Sequence, residues 1–527
     1  MAEPLAPGLP AHLEPADLAG LEVLVAGLGR SGRSAALHLA DFGADVIGCD
    51  DAEVDDAELE AAGVKVHAGC RVELLEGRRL LLVSPGLPER HPLIQTALGA
   101  GVPVWSDIEL GARLARAPMV GVTGTNGKST TAELAGAMLS ASGRRTVAAG
   151  NLGLPLLSAV LARRPPEALV VELSSFQLRF CHSLRLVAGA WLNFAPDHLD
   201  WHPDLTAYAA AKARIWANQT PRDWSLYAAD DPVVASHVAR TTGTPVPFGV
   251  GRVPPGGLGV EAGIALSRIE GHEGPLWRAA ALRLPGRHNL ANALAAAGMA
   301  LALGAHPAAM ARAVAAFRAS PHRLATVGEV RGVTFVDDSK ATNPHAASRA
   351  LGAFQRVVWI AGGRNKDLAF DELAAEARSR LVGAVLIGEA AEDLAAALER
   401  AGYDGPMVHA ASMGEAVTVA ASLAERGDTV LLAPACASFD MFSSYAERGD
   451  VFAAAVSRLA GGSGGLASEA GAQAPGGRAE PSVAPRRDGG SGGLASEAGA
   501  QAPGGRAGPS VAPRRDRLKG GGKGAQS

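Results

Sequence analysis

Cysteine is scarce in this chain. The four in 527 residues, Cys49, Cys70, Cys181 and Cys436, are scattered and show no C-x-x-C spacing. A zinc site or a disulfide frame announces itself by clustered or regularly spaced thiols, so all four are expected to be reduced. The chain also lacks a charge surplus. A net charge of −4 leaves no basic footprint for nucleic acid and no polybasic face for a membrane surface. No window approaches the roughly 18 uninterrupted apolar residues of a membrane span. The opening MAEPLAPGLPAHLEPADLAG carries acids and prolines where a signal peptide has a basic start and an apolar run. Together these absences point to a cytoplasmic protein that binds neither nucleic acid nor membrane.

The composition that remains is globular, with 48% hydrophobic and 19% charged residues, and the length suits about three domains. The tail is the simplest part to delimit. GGSGGLASEAGAQAPGGRAEPSVAPRRD (461–488) recurs at 489–516 with one change, Glu480 to Gly508. Two copies without an apolar face cannot stack a core, so residues 461–527 are expected to be disordered.

Short apolar runs alternate with helical stretches before that tail. LEVLVAGLG, ADVIGCD and LLLVSPG fall in residues 1–117, ALVVELSS and AGAWLNF in 118–320, and VTFVDDSK, RVVWIAGG, GAVLIGE and TVLLAPA in 321–460. This alternation predicts an α/β chain of three domains with parallel sheets covered on both faces. The first and third should be Rossmann-like, and the central one a phosphate-loop ATPase-like domain. Linkers are expected at Ala115–Pro118 and Ala319–His322.

MVGVTGTNGKSTT (Met119–Thr131) runs from an apolar strand through a glycine loop into a helix. In such a loop, backbone N–H groups cradle phosphate, Lys128 reaches the β/γ oxygens and Ser129 can place its hydroxyl on Mg²⁺. Gly124, Thr125, Asn126, Gly127 and Thr130 complete the cradle. The strict G-x-x-x-x-G-K-[ST] pattern would put a glycine at position 122, which is Val; the glycines stand instead at 121, 124 and 127.

A second glycine loop, Gly27-x-Gly29-x-x-Gly32, also lies between a strand and a helix, with Asp50 and Asp51 after the next strand. Alone it reads as a dinucleotide site and therefore as an NAD-dependent oxidoreductase. A dehydrogenase has no use for the triphosphate loop, however. The two loops together favour an ATP-driven enzyme whose substrate carries a nucleotide diphosphate handle.

The chemistry lies beyond both loops. Glu172 ends the strand of VVELSSFQL, where a carboxylate can hold Mg²⁺. Asp197, His198, Asp200 and His202 crowd into six residues, a pattern that also suits zinc, although no cysteine joins them and phosphate beds call for Mg²⁺. Lys212, in an alanine-rich helix, is most simply a solvated lysine.

GVTGTNGKSTT, GNLGLP (150–155), VVELSSFQL, NFAPDHLDWH, the lysine of YAAAKARIW and PGRHNLANALAA (285–296) stand in the order found in the Mur ligase family, which the chain resembles over roughly residues 20–455. PHR (321–323), VDDSKATNP (336–344), AGGRNK (361–366) and APACASFDMFSSYAERGD (433–450) resemble the branch that joins D-glutamate to UDP-N-acetylmuramoyl-L-alanine. The resemblance implies ATP, two Mg²⁺ ions and an acyl-phosphate intermediate in peptidoglycan precursor synthesis, catalysed by a monomer that closes near residues 319–322. It implies that Ser129 and Glu172 hold one Mg²⁺, and His198 and a carbamylated Lys212 the other. Lys128, Arg323 and Lys340 would offset the charge of the reacting groups. Asn292 matches the adenine contact, Asp338 the ribose contact and Asn151 a position near the substrate and phosphates. Thr342, Lys366 and Ser438 match the D-glutamate pocket, with Tyr445 packing beside it. Gly29, Arg30, Ser31, Asp50, Ser84, Pro85 and Gly86 lie where the uridine diphosphate handle would bind.

Overall fold

The computed structural model describes residues 10–151, 153–318 and 320–462. Ala319, in the second expected linker, and both tail repeats beyond residue 462 lie outside the described residues. Three sheets follow one another along the chain. The first orders its strands Lys65–Ala68, Asp45–Asp50, Glu22–Ala26, Leu80–Val83 and Val104–Ser106, all parallel. The strand order reverses beside Glu22–Ala26, which opens a crevice at the carboxyl ends of that strand and Leu80–Val83.

The central sheet runs Gly274–Arg278, Ile264–Ser267, Leu258–Glu261, Thr244–Phe248, Trp224–Ala228, Ala188–Trp191, Met119–Thr123, Ala168–Glu172 and Thr146–Gly150. The third runs Ala325–Val330, Val333–Asp337, Thr429–Ala435, Val357–Gly362, Leu381–Ile387 and Met407–His409. Strands such as Met119–Thr123 and Ala168–Glu172 are buried at every position, as continuous apolar runs between helical layers should be. Separate apolar clusters cover both faces of each sheet.

Four expectations need correction. The central and third sheets are not wholly parallel: Leu258–Glu261, Ile264–Ser267 and Gly274–Arg278 pair antiparallel, and so do Ala325–Val330 and Val333–Asp337. The turns Ala262–Gly263 and Arg331–Gly332 are two residues long with positive φ throughout, which forces a hairpin; a parallel crossover needs a far longer connection. Neither turn carries the Asn-Gly or Asp-Gly signal. Next, Cys49 and Cys70 are not free thiols but a disulfide, their Cα atoms 5.2 Å apart. The parallel pairing of Asp45–Asp50 with Lys65–Ala68 brings the two together, a proximity that spacing along the chain does not show. Cys181 and Cys436 are free and buried. Third, the last helix, Tyr445–Gly462, runs two residues into the expected tail. Fourth, Lys212 is not solvated but 1% exposed. None of the described helices is long and apolar enough to cross a membrane.

Candidate functional site

The strand Met119–Thr123 ends at Gly124, and the helix Lys128–Ala141 starts three residues after Thr125. Val122, where the strict pattern has glycine, is a sheet residue paired with Glu172, so the turn begins only after it. Gly127 is needed twice over. Its φ is +87°, and a Cβ there would stand 2.4 Å from the Asn292 side-chain oxygen. Asn193 clamps the loop: its Oδ1 accepts from the Asn126 N–H and its Nδ2 donates to the Asn126 carbonyl, both at 2.9 Å. Lys128 Nζ folds back onto the carbonyls of Gly124 (2.9 Å) and Thr125 (3.0 Å).

Lys212, on the helix Leu205–Ala213, donates to the same Gly124 carbonyl at 2.9 Å and lies over the Tyr208 ring. Burial and the nearby Lys128 push its ammonium well below the ordinary lysine pKa, against the pull of Asp197. Burial also lowers Lys128, with Glu172 and Asp197 opposing and Arg323 and Lys366 adding to the fall. Lys340 is lowered to about 8 by burial and then by Arg323 and Lys128. Cations from the central and third sheets thus crowd one place and weaken one another, an arrangement that anionic ligands would relieve.

Two carboxylates face them. Glu172 is 2% exposed; its Oε1 accepts from Asn151 Nδ2 at 2.7 Å, while its Oε2 is buried with no partner. An orphaned carboxylate oxygen beside a phosphate loop and the buried Ser129 fits a hard divalent cation such as Mg²⁺. Asp197 accepts from Asn343 Nδ2 at 2.9 Å and pairs with Lys366 at 3.5 Å. Burial lowers His198, next to Asp197 and edge-on to Phe176, so its imidazole stays neutral. The zinc reading does not hold: Asp200 is exposed, His202 turns to the Ser175 hydroxyl at 2.9 Å, and no group of three or more His, Cys, Asp or Glu is placed to hold an ion among the described residues. An ion held by so few side chains would complete its coordination with water and phosphate oxygens.

A cavity of about 90 Å³ adjoins the loop and is lined by Asn126, Gly127, Thr130, Asn292, Arg323, Asp338 and Lys340, all named from the sequence. Arg323 enters between two residues with positive φ, His322 (65°) and Leu324 (47°), strain that two contacts hold in place. His322 Nδ1 bonds Asp337 at 2.7 Å, and the Leu324 N–H donates to Asp338 Oδ1 at 3.1 Å. Burial raises the Asp338 carboxyl to about 7. Of the four D-glutamate candidates, Lys366 reaches Asp197 and the Tyr445 ring face meets Lys340 Nζ at 3.6 Å. Ser438 is buried in the loop after Thr429–Ala435, and the Thr342 N–H donates to the Lys340 carbonyl. These four do not line this cavity.

Sequence reasoning missed several residues. Asn343 caps the helix Pro344–Leu351 through the Ala346 N–H at 2.8 Å and also reaches Asn126 and Asp197, so it joins the third sheet to the central one. Arg448, 1% exposed, holds the Ser339 hydroxyl and carbonyl and the carbonyls of Cys436 and Ala437, which ties the Lys340 loop to the Ser438 loop. Both stood inside quoted motifs, but a hydrogen-bonding role is not marked by residue type. His288, Asn289 and Arg349 also line the cavity.

The handle candidates gather elsewhere, at the crevice of the first sheet. Gly32 packs so closely that a Cβ would stand 1.8 Å from the Gly27 carbonyl oxygen, and one on Gly27 would stand 2.6 Å from Ser84 Cβ. Asp50 Oδ2 accepts from the Leu28 N–H at 2.6 Å. Ser31 bonds Asp107 at the start of the next-sheet linker helix, while Gly29, Arg30 and Gly86 are exposed.

Comparison with known proteins gives three matches in chain order. A MurD-like N-terminal domain of Mur ligases matches residues 21–106, the Mur ligase middle domain 122–300, and the Mur ligase glutamate ligase domain 322–436. A UDP-N-acetylmuramoylalanine–D-glutamate ligase of Frankia casuarinae is 49% identical over 446 residues, covering 83% of this chain and 94% of the relative. One from Streptomyces coelicolor is 44% identical, covering 84% and 99%. Among solved structures, the UDP-N-acetylmuramate–alanine ligase of Thermotoga maritima shares the fold, with a TM-score of 0.52 at 18% identity over 83% of this chain and 99% of that one. The MurF ligase of the same organism, solved with ADP, has a TM-score of 0.50 at 17% identity, covering 85% and 97%.

Proposed function

The chain belongs to the Mur ligase family, and from that premise we propose that it is the ATP-dependent ligase that adds D-glutamate to UDP-N-acetylmuramoyl-L-alanine in peptidoglycan precursor synthesis. The observation that carries this reading is the crowding of Lys128, Arg323, Lys340 and Lys366 around a phosphate loop and an unpartnered Glu172 oxygen. The reaction brings together a carboxylate, the γ-phosphate and an acidic amino acid, and such a site offsets their mutual repulsion.

ATP occupies the cavity between Asn292, Arg323 and Asp338, with its phosphates on the loop Gly124–Thr130. Ser129 and Glu172 would hold one Mg²⁺, and His198 and Lys212 a second. Mg²⁺ supplies Lewis-acid stabilisation of phosphoryl oxygens. Lys212 would serve there as a carbamate: burial beside Lys128 favours its neutral amine, whose nitrogen would add CO₂ and lose a proton to become an oxygen donor. The substrate carboxylate takes the γ-phosphoryl group, with Lys128, Arg323 and Lys340 holding the charge in place. The D-glutamate amine, positioned by Lys366, Thr342 and Ser438, attacks the acyl phosphate, and phosphate leaves from the tetrahedral intermediate. The uridine diphosphate handle sits at Gly29–Ser31, Asp50 and Ser84–Gly86. Residues 1–117, 118–320 and 321–460 act as three units, and their approach near residues 319–322 excludes water from the acyl phosphate. A monomer suffices for this chemistry, and ATP and a nucleotide sugar as substrates place it in the cytoplasm. An oxidoreductase built on Gly27–Gly32 finds no support in the relatives.

The test is phosphate release from ATP in the presence of UDP-N-acetylmuramoyl-L-alanine with D-glutamate, L-glutamate or meso-diaminopimelate. Release with D-glutamate alone is expected. Release with meso-diaminopimelate alone, or with none, removes the assignment.

A further inference from the structure

The helix Pro344–Leu351 carries His345 and Arg349, which stand one turn apart on the same face and belong to none of the roles assigned above. Arg349 lines the nucleotide cavity and, with His288, a second cavity beside it. It forms no ion pair among the described residues; Asp230 and Asp231 act on it only from farther away. Its Nε donates to His345 Nε2 at 3.1 Å. The other nitrogen of that ring, Nδ1, lies 2.8 Å from the side-chain amide of Asn126 in the phosphate loop.

The donor inventory sets the tautomer. An arginine can only donate, so His345 Nε2 must accept. Burial and the neighbouring Arg349 keep the ring neutral, so its single proton sits on Nδ1. The amide atom that stands 2.8 Å from Nδ1 is Asn126 Nδ2; turning the amide so that its oxygen accepts the Nδ1 proton exchanges this contact for its 3.3 Å donation to Asn343 Oδ1. One imidazole therefore connects the phosphate loop of the central sheet to a guanidinium of the third. With Nε taken by His345, the four N–H groups on Nη1 and Nη2 have no partner among the described residues and are available to acceptor atoms in the cavity.

We propose that His345, anchored on Asn126 of the phosphate loop, is a positioning residue for ATP, which acts by aiming Arg349 into the nucleotide cavity. The inference rests on the reading of that cavity as the ATP site. It places the effect on nucleotide affinity and leaves the transfer step to the groups described above.

The test measures ADP affinity by calorimetry, together with KM for ATP, KM for D-glutamate and kcat, in His345→Phe, His345→Gln, Arg349→Met and the double variant His345→Phe/Arg349→Met. His345→Phe keeps the ring volume and removes both hydrogen bonds; Gln can accept and donate in place of the two nitrogens. His345→Phe and Arg349→Met should each weaken ADP and raise KM for ATP about tenfold, the scale of one lost charged hydrogen bond. KM for D-glutamate and kcat at saturating ATP should stay within about threefold, and His345→Gln should recover most of the affinity. The double variant should be no weaker than Arg349→Met alone, because the two side chains act as one unit. ADP affinity of His345→Phe equal to wild type, or losses that multiply in the double variant, overturn the proposal. If His345→Phe fails to fold, a His345→Gln enzyme as weak as Arg349→Met overturns it equally. Wild-type protein that binds no ADP overturns instead the assignment of the cavity.

Discussion

In the first sheet, the glycine loop after Glu22–Ala26 already has a carboxylate on it: Asp50 takes the Leu28 N–H at 2.6 Å. In the central sheet, the loop after Met119–Thr123 is met by two lysines, Lys128 and Lys212, whose ammonium groups both rest on the Gly124 carbonyl. The two turns share a strand, a glycine loop and a helix, and in each a glycine cannot be replaced without collision. They differ in what already occupies the loop: the Asp50 carboxylate on the first, two lysines on the second. The first can take a nucleotide handle by shape and backbone contacts, with a side chain that bars any second anion from Leu28. The second concentrates positive charge where a phosphoryl group would be transferred. Loop shape alone thus reports that phosphate can bind, and the field at its mouth separates holding from chemistry.

The strongest way to break this comparison is Lys128→Ala. Removing the cation that faces the transferring phosphoryl group should lower ligase turnover by more than about a thousandfold, with the circular-dichroism spectrum unchanged. Near-normal turnover would erase the distinction between the loops.

Lys212→Ala should come next, with a loss on the order of a hundred- to a thousandfold if the side chain supplies an anionic metal ligand. Added formate or acetate should restore part of the rate. Recovery with a small amine and not with a carboxylate would assign the ammonium, rather than a carbamate, as the working group.

Gly32→Ala tests the first loop by shape. A methyl group against the Gly27 carbonyl must displace the loop, at a cost of about 1–3 kcal/mol in stability, read from denaturant midpoints. The KM for the UDP substrate should rise about tenfold, while ADP affinity stays at the wild-type value. An equal loss of ADP binding would show that the two loops are coupled and not separate sites.

Asp50→Asn should have the smallest effect. The amide oxygen can still accept from Leu28, and a negative charge is removed from the handle crevice. The KM for the UDP substrate should change by no more than about threefold, with kcat unaffected. A large fall in kcat would place Asp50 in the chemistry instead.

Much of this was legible in the residues. The apolar runs marked the buried strands, because a strand covered on both faces must be apolar at successive positions. The glycine loops marked the two turns, because positive φ and close backbone approach both exclude side chains. The ordered motifs led to Lys128, Arg323, Asp338 and Lys340, which the fold brings to one cavity and its margin. The hairpins at Ala262–Gly263 and Arg331–Gly332 were not legible, since alanine and arginine adopt positive φ there without the residue types that usually announce it. Nor was Asn343 readable as a bridge, although it stood in a quoted motif.

The sequence by itself determined the buried strands, the two glycine loops and the chemical types available, since these depend on neighbours a few residues apart and on the intrinsic conformational limits of glycine and of apolar residues. Only the tertiary structure decided which groups lose water and which charges meet. Asn126 and Asn343 are 217 residues apart, and Asn343 and Asp197 are 146 apart. Lys212 reads as a solvated lysine until the sheet closes over it beside Lys128, and Cys49 reads as a free thiol until the adjacent strand delivers Cys70. Burial and electrostatic coupling are sums over everything packed nearby, so no local stretch of chain contains them.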